Sequence, residues 1–258
     1  MKKHSIALLL LLVLLTGCGA KTEEAPWQTA YRETGKYLQE QDALSAGSVG
    51  GEWAVIGLSR AGLLTDKTAV AYEQTAADYA AGAVSGRLDR SKSTENSRTI
   101  LGLTAAGYDA SNVAGVDLTS GLSDMNYLRI QGLNGPIWAL IALDCHSYDI
   151  PQCAEGGEQT TREGLVAEIL TSQCSDGGWT LAGDTADVDM TAMALTALAA
   201  YKDDAEVKAA VDAALAYLSD AQQEDGGFMS WGTANSESCA QVIVALTALG
   251  IDPTSDER

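Results

Sequence analysis

The sequence predicts an all-α protein built as an α/α toroid of helical hairpins, and two observations carry that expectation. An apolar six-residue frame returns five times along the chain, and an amphipathic stretch of helical period precedes each copy. No segment carries a clear strand signal.

The frame reads Trp53-Ala54-Val55-Ile56-Gly57-Leu58, then Arg98-Thr99-Ile100-Leu101-Gly102-Leu103, then Trp138-Ala139-Leu140-Ile141-Ala142-Leu143. It returns as Met193-Ala194-Leu195-Thr196-Ala197-Leu198 and as Gln241-Val242-Ile243-Val244-Ala245-Leu246. Successive closing leucines stand 40 to 55 residues apart, the length of a helical hairpin with its loops. These segments are apolar nearly all round and rich in alanine and glycine, so they are expected as inner helices packed on several sides. Residues 27–40, 69–87, 122–133, 161–173 and 204–222 are amphipathic and are expected as outer helices, which makes ten helices in all. In the last of them Val207, Val211, Leu215 and Leu218 form one apolar stripe while Lys208, Asp212 and Asp220 face away.

Alternating inner and outer helices close most simply into a double-layered toroid whose inner helices all run the same way. Their N-termini then gather at one rim, at or near Thr94, Glu95, Asn134, Asp187, Asp189, Asn235 and Glu237. Helix capping accounts for one Asp or Asn per helix. Asp187 and Asp189 together exceed that need and stand out as a candidate functional pair.

The N-terminus reads as an export leader: Lys2 and Lys3, an apolar run over residues 6–15 that is too short to span a bilayer, and Leu15-Thr16-Gly17-Cys18. Removal of residues 1–17 would leave Cys18 as a lipidated first residue on the outer face of the membrane. Residues 18–26 form a tether, 27–252 the repeat domain and 253–258 a tail. Loss of Lys2 and Lys3 takes the formal charge from −19 to −21, a surface that repels nucleic acid. The 46% hydrophobic content excludes an acidic disordered chain.

Metal and cofactor chemistry finds few ligands. The histidines are His4 and His146, and none of Cys145, Cys153, Cys174 and Cys239 lies in a Cys-x-x-Cys pair. No cofactor or metal site is expected. Cys145 and Cys153 flank a short loop, where a disulfide and two free thiols are both open.

Two turns share a more specific pattern. Gln173-Cys174-Ser175-Asp176-Gly177-Gly178-Trp179 and Gln222-Gln223-Glu224-Asp225-Gly226-Gly227-Phe228 both read Gln-x-x-x-Gly-x-aromatic between an outer and an inner helix. A glutamine amide can bridge loose backbone ends there, and the ring can pack on the neighbouring hairpin. The pattern resembles the glutamine–tryptophan repeat of the prenyltransferase and squalene oxidase superfamily, over about residues 27–252. The chain is similar to exported bacterial proteins with such repeats, which are in turn similar to the cobalamin-binding domain of intrinsic factor and transcobalamin and to squalene–hopene cyclases. Asn134-Gly135-Pro136-Ile137-Trp138 and Asn235-Ser236-Glu237-Ser238 share the look of that group.

The resemblance implies a terpenoid cyclase-like toroid of six hairpins, of which five are present and a sixth is missing. Residues 27–38 and 238–249 are therefore expected to be less covered than their counterparts in the middle repeats. Asp187-Val188-Asp189-Met190 resembles the Asp-x-Asp-Asp motif of proton-initiated cyclases, with Asp189 in the acid's place and Met190 where the last aspartate belongs. Asp144-Cys145-His146 offers the residue types of a prenyltransferase zinc site, although adjacent residues on a helix cannot all face one ion. Gly156-Gly157-Glu158-Gln159 resembles a complement-type thioester motif with Gly157 where the cysteine would be.

Two functions follow. The first is a binding module for a small molecule or a partner, using Asn134, Trp138, Asp187, Asp189, Asn235 and Glu237. The second is an enzyme, glycan-active or cyclase-like, with Asp189 and Asp187 as catalytic carboxylates and Trp53, Trp138, Trp179 and Trp231 as the aromatic surfaces a sugar could stack on.

Overall fold

The computed structural model describes residues 25–41, 44–48, 50–230 and 232–254; the leader, Cys18 and Trp231 lie outside these. The protein is all-α: the described residues hold ten α-helices, three short 3₁₀ turns and one two-residue β pair. The chain divides into two compact units, residues 1–40 and 41–258.

The first unit contains α1 (Pro26–Gln39). Proline suits the first helical turn, where its missing N–H is not needed, and the Gln28 side chain accepts from the Ala25 N–H at 2.9 Å. Trp27, Tyr31 and Tyr37 are all more than half exposed.

The second unit holds α2 (Gly51–Arg60), α3 (Asp66–Ala80), α4 (Ser93–Ala105), α5 (Met125–Leu128), α6 (Asn134–Asp144), α7 (Arg162–Thr171), α8 (Val188–Leu198), α9 (Ala205–Ala221) and α10 (Ser236–Leu249). The five apolar frames lie on α2, α4, α6, α8 and α10. These helices pack in sequence order, α2 on α4, α4 on α6, α6 on α8 and α8 on α10. Outer helices α3, α7 and α9 pack on α4, α6 and α8.

Bonds between like ends fix the direction of the inner helices. Near the start of α2 and α4, Glu52 Oε2 lies 3.2 Å from Arg98 Nε, and near their far ends the Ser59 hydroxyl donates to the Ala105 carbonyl at 2.6 Å. Gln131, just ahead of α6, accepts from Thr94 N–H at 2.9 Å, and Tyr148, just beyond it, meets the Thr104 hydroxyl at 2.8 Å. Tyr201 after α8 donates to Asp144 at the end of α6, and Lys202 donates to the Leu249 carbonyl at the end of α10. All five inner helices run in parallel, and their N-termini gather on one side as the frame requires.

Burial follows the frame. Its third residue is fully buried as Val55, Ile100, Leu140 and Leu195, whereas Ile243 on α10 is 49% exposed. Among these frame positions the one on the last inner helix is the least covered.

The structure differs from the sequence reading at three places. Residues 122–133 do not form a continuous outer helix: the four-residue α5 sits between 3₁₀ turns Thr119–Leu122 and Arg129–Gln131. Asp124 caps Asn126 and pairs with Arg87 at 2.8 Å, while the neighbouring backbone bonds to residues 158–160. These distant partners outweigh local helical period, yet Leu122 and Leu128 still reach the core. Second, the outer helix expected over 69–87 begins earlier, where Thr65 caps Thr68 N–H, and ends at Ala80 ahead of a turn with positive φ at Ser85 and Gly86. Third, Met229–Ser230 pairs antiparallel with Thr233–Ala234 before α10, a hairpin too short to carry a strand signal in sequence.

Candidate functional site

The middle inner helices α4, α6 and α8 are largely buried, and each carries one stripe of partly exposed residues. On α4 the stripe is Thr94, Arg98 and Leu101, with Glu95, Thr104 and Ala105 partly exposed beside it; on α6 it is Asn134, Trp138 and Ile141, ahead of Asp144 at the helix end; on α8 it is Asp189, Met193 and Thr196. Spacings of four and three residues put each set on one helix face. Trp53 and Ile56 continue the stripe on α2, and Gln241 and Val244 on α10. Because the helices are parallel and packed in order, the stripes form one shared face with the polar residues Asn134 and Asp189 toward the N-terminal side.

Two tryptophans define the curvature of that face. The rings of Trp53 and Trp138 lie 5.3 Å apart, tilted by 56°. Their helices both pack on α4. Side chains that meet across an intervening helix require the face to be concave there. Tilted ring pairs at this distance attract edge to face, and Trp53 keeps 45% of its surface exposed.

The rim residues divide by role. Asp187 is the N-cap of α8, accepting from Met190 N–H at 2.9 Å. Burial pushes its carboxyl above the usual aspartate value and the Asp189 charge adds to this, against the Met190 hydrogen bond. Asn235 caps α10 through Ser238 N–H at 2.7 Å. Asn134 is the first residue of α6 and does not cap it. Glu237 is exposed and accepts from the Ser236 hydroxyl at 3.1 Å. Asp189 Oδ1 is buried and has no hydrogen-bond partner among the described residues, an arrangement that costs about 1–3 kcal/mol for an acceptor. Of the six sequence candidates, Asn134, Trp138 and Asp189 therefore share the partly exposed stripe, Asp187 and Asn235 are spent on capping, and Glu237 lies in solvent.

The glutamine turns are structural. Gln173 Nε2 donates to the Gly177 carbonyl at 2.7 Å and to the Ala210 carbonyl of α9 at 2.9 Å. Trp179, expected as a possible stacking platform, is instead fully buried with its indole N–H on the Ile169 carbonyl at 2.7 Å. Gly178 is required there, since a Cβ would collide with the Thr191 hydroxyl, which accepts from the Trp179 N–H.

The other motifs are engaged in packing. Asp144 pairs with Arg162 Nε at 2.6 Å and accepts from Tyr201, while Arg162 also caps the end of α6 through the Leu143 and Tyr148 carbonyls. His146 is exposed beside Tyr148. Among the described residues no three His, Cys, Asp or Glu side chains are grouped to hold a metal, and Cys145, Cys153, Cys174 and Cys239 are free thiols. Gln159 ties its own loop, accepting from Cys153 N–H and donating to the Pro151 and Thr160 carbonyls.

Sequence reasoning missed a charged cluster beside the tryptophans. Glu52 is fully buried, accepting from Gly47 N–H at 2.6 Å, with Arg98 beside its other oxygen. Arg98 Nη2 also pairs with Glu95 at 2.8 Å, and the Tyr79 hydroxyl donates to the same carboxylate at 3.1 Å. Burial, then the Glu95 charge, pushes the Tyr79 phenol up to about 12. The available signal was Arg98 itself, which stands in the frame position held by Trp53 and Trp138 in neighbouring copies.

Together these groups offer an apolar floor with aromatic edges, the Arg98 guanidinium held between two carboxylates, and the partly exposed Asp189 near one end. Such a face can hold a ligand with an apolar body and a hydrogen-bond donor. Comparison with protein-family models, curated proteins and solved structures finds no match to this chain.

Proposed function

We propose that the protein is a binding module whose concave inner-helix face takes up a small molecule with an apolar or planar body and a donor group directed at Asp189. The Trp53–Trp138 pair carries this reading. Trp53 is 45% exposed and Trp138 partly exposed, and Arg98, held by Glu52 and Glu95, stands on the helix between them. We read the parallel inner helices and their outer cover as part of an α/α toroid of the terpenoid cyclase type, with five of six hairpins in this chain. The leader and Cys18 support a lipid-anchored location on the outer face of the membrane. The charge of −19 argues against nucleic acid as the ligand.

The test is native mass spectrometry of the protein purified from its host without denaturation. A bound mass that is lost in Trp138→Ala, with melting behaviour little changed, supports the reading. A bare protein, or a mass retained in that variant, counts against it. A second reading, a carboxylate enzyme, is favoured by one observation, the unpaired buried oxygen of Asp189. Asp187 would then tune Asp189 through its charge, and Asp189→Asn would abolish turnover of the bound molecule without abolishing its binding.

A further inference from the structure

The face shared by the inner helices changes its chemistry along the helix axes. These helices run in parallel, and the bonds Glu52–Arg98, Ser59–Ala105, Tyr201–Asp144 and Lys202–Leu249 join residues at nearly the same distance from their frame starts. The Trp53 and Trp138 rings, both at a frame start, also meet, so the frames lie in register. Four residues ahead of the frame the level is polar, with Thr94, Asn134 and Asp189 partly exposed and Glu237 in solvent. At the frame start Trp53, Arg98 and Trp138 share a level with Met193 and Gln241. Three residues beyond the frame start the level is aliphatic on four helices, as Ile56, Leu101, Ile141 and Val244, with Thr196 on the fifth. All five stay at least partly exposed, whereas the residue just before them is fully buried on α2, α4, α6 and α8. The levels span seven residues, about 10 Å at the rise of an α-helix.

Charge divides the levels as well. The polar level holds two carboxylates and no cation, and Asp189 Oδ1 is buried with no hydrogen-bond partner among the described residues. The cation of the middle level, Arg98, is held by Glu52 at 3.2 Å and Glu95 at 2.8 Å, so its charge is already matched. The aliphatic level carries no charge. We infer that this face takes a single-chain amphiphile with a cationic amine head, the ammonium at Asp189 and the tail running past the tryptophans to the aliphatic level. The inference rests on the binding reading above and adds the ligand's class and its direction on the face. An ammonium gives the Asp189 oxygen a charge-assisted bond. An anionic head meets like charge at Asp189 and Glu237, and a bare hydrocarbon leaves the polar level unmatched. A tail laid over the lower two levels takes apolar area of both partners out of water.

The probes are octylamine, octanol and octanoate, with butylamine as the short-tailed control, each titrated into the full chain by calorimetry below its aggregation concentration. One octylamine per chain is expected, bound about tenfold tighter than octanol and about thirtyfold tighter than butylamine, with no saturable binding of octanoate. Asp189→Asn should remove the preference for the amine over the alcohol. Ile141→Asn should weaken both by about tenfold and keep that preference. Both side chains are partly exposed, and melting temperatures check that the variants fold; the comparison of probes on the unaltered chain stands without them. Octanol or octanoate bound as tightly as octylamine overturns the inference and leaves the binding module standing. Equal binding of octylamine and butylamine, several octylamines per chain unaffected by either variant, or no binding of any probe also overturns it. In each case native mass spectrometry decides the binding reading separately.

Discussion

The indoles of Trp53 and Trp138 meet at 5.3 Å although α4 packs between the helices that carry them. The contact makes the inner face concave where the two tryptophans meet. Replacing Trp138 with Ala should therefore remove the exciton signal of the pair in the ultraviolet circular dichroism while costing little stability, about 1 kcal/mol, because the ring is partly exposed. A Trp138→Ala protein with an unchanged spectrum would show that the rings do not meet in solution.

Asp187 gives a pH prediction with a defined sign. Its folded carboxyl titrates above the ordinary aspartate value of 3.8, so the folded state holds the proton more tightly than the unfolded state. The stabilising contribution of the proton is complete below 3.8 and is lost as pH rises through the raised folded value. Asp187→Asn keeps a capping oxygen, as Asn235 does on α10, and removes that dependence. Denaturant unfolding across the acid range should show the wild type losing stability relative to this variant as pH rises. Asp187→Ala should cost about 1 kcal/mol at neutral pH through the lost cap.

The buried Glu52 gives the largest expected stability loss. Arg98→Met removes its cationic neighbour and should cost about 3 kcal/mol, since Glu52 is fully buried and its charge is left uncompensated. Adding Glu52→Gln should restore much of that loss, a non-additivity that a double-mutant cycle measures directly.

The two glutamine turns should respond unequally to the same change. Gln173→Ala breaks a bond across to α9 as well as one within its turn, and should cost about 2 kcal/mol. Gln222→Ala breaks an exposed bond within its own turn and should cost less than about 0.5 kcal/mol. Equal losses would contradict the comparison between the repeats.

The helices were legible because their signals are local and repeated. The five frames, the caps at Asp187 and Asn235 and the glycine turns each lie within a few residues. What was not legible depends on distant partners. Residues 122–133 keep helical period in sequence but lose their helix to bonds with residues 158–160 and to the Arg87–Asp124 pair. Trp179 was legible as the packing ring of its glutamine turn, but counting it also as a stacking surface was not, because its full burial depends on distant partners such as the Ile169 carbonyl. The Glu52–Arg98 pair joins residues on two helices, so no spacing announces it. The rim carboxylates were found by spacing, but which oxygen lacks a partner was a matter of coordinates.

Export gives a prediction that is independent of the fold. Cys18→Ala should move the protein from the membrane fraction to the soluble exported fraction, and mass spectrometry of the wild type should find residues 1–17 absent and a lipid on Cys18. An unprocessed N-terminus in the native host would remove the anchor from the account.

The most direct test of the concave binding face is the indole N–H spectrum of ¹⁵N-tryptophan-labelled protein, recorded as purified from its host and again after ligand removal by unfolding and refolding. The account predicts that the Trp53 and Trp138 signals shift between the two states, while Trp179, held on the Ile169 carbonyl, stays in place. Unmoved Trp53 and Trp138 signals in a sample shown to carry a bound molecule would contradict it.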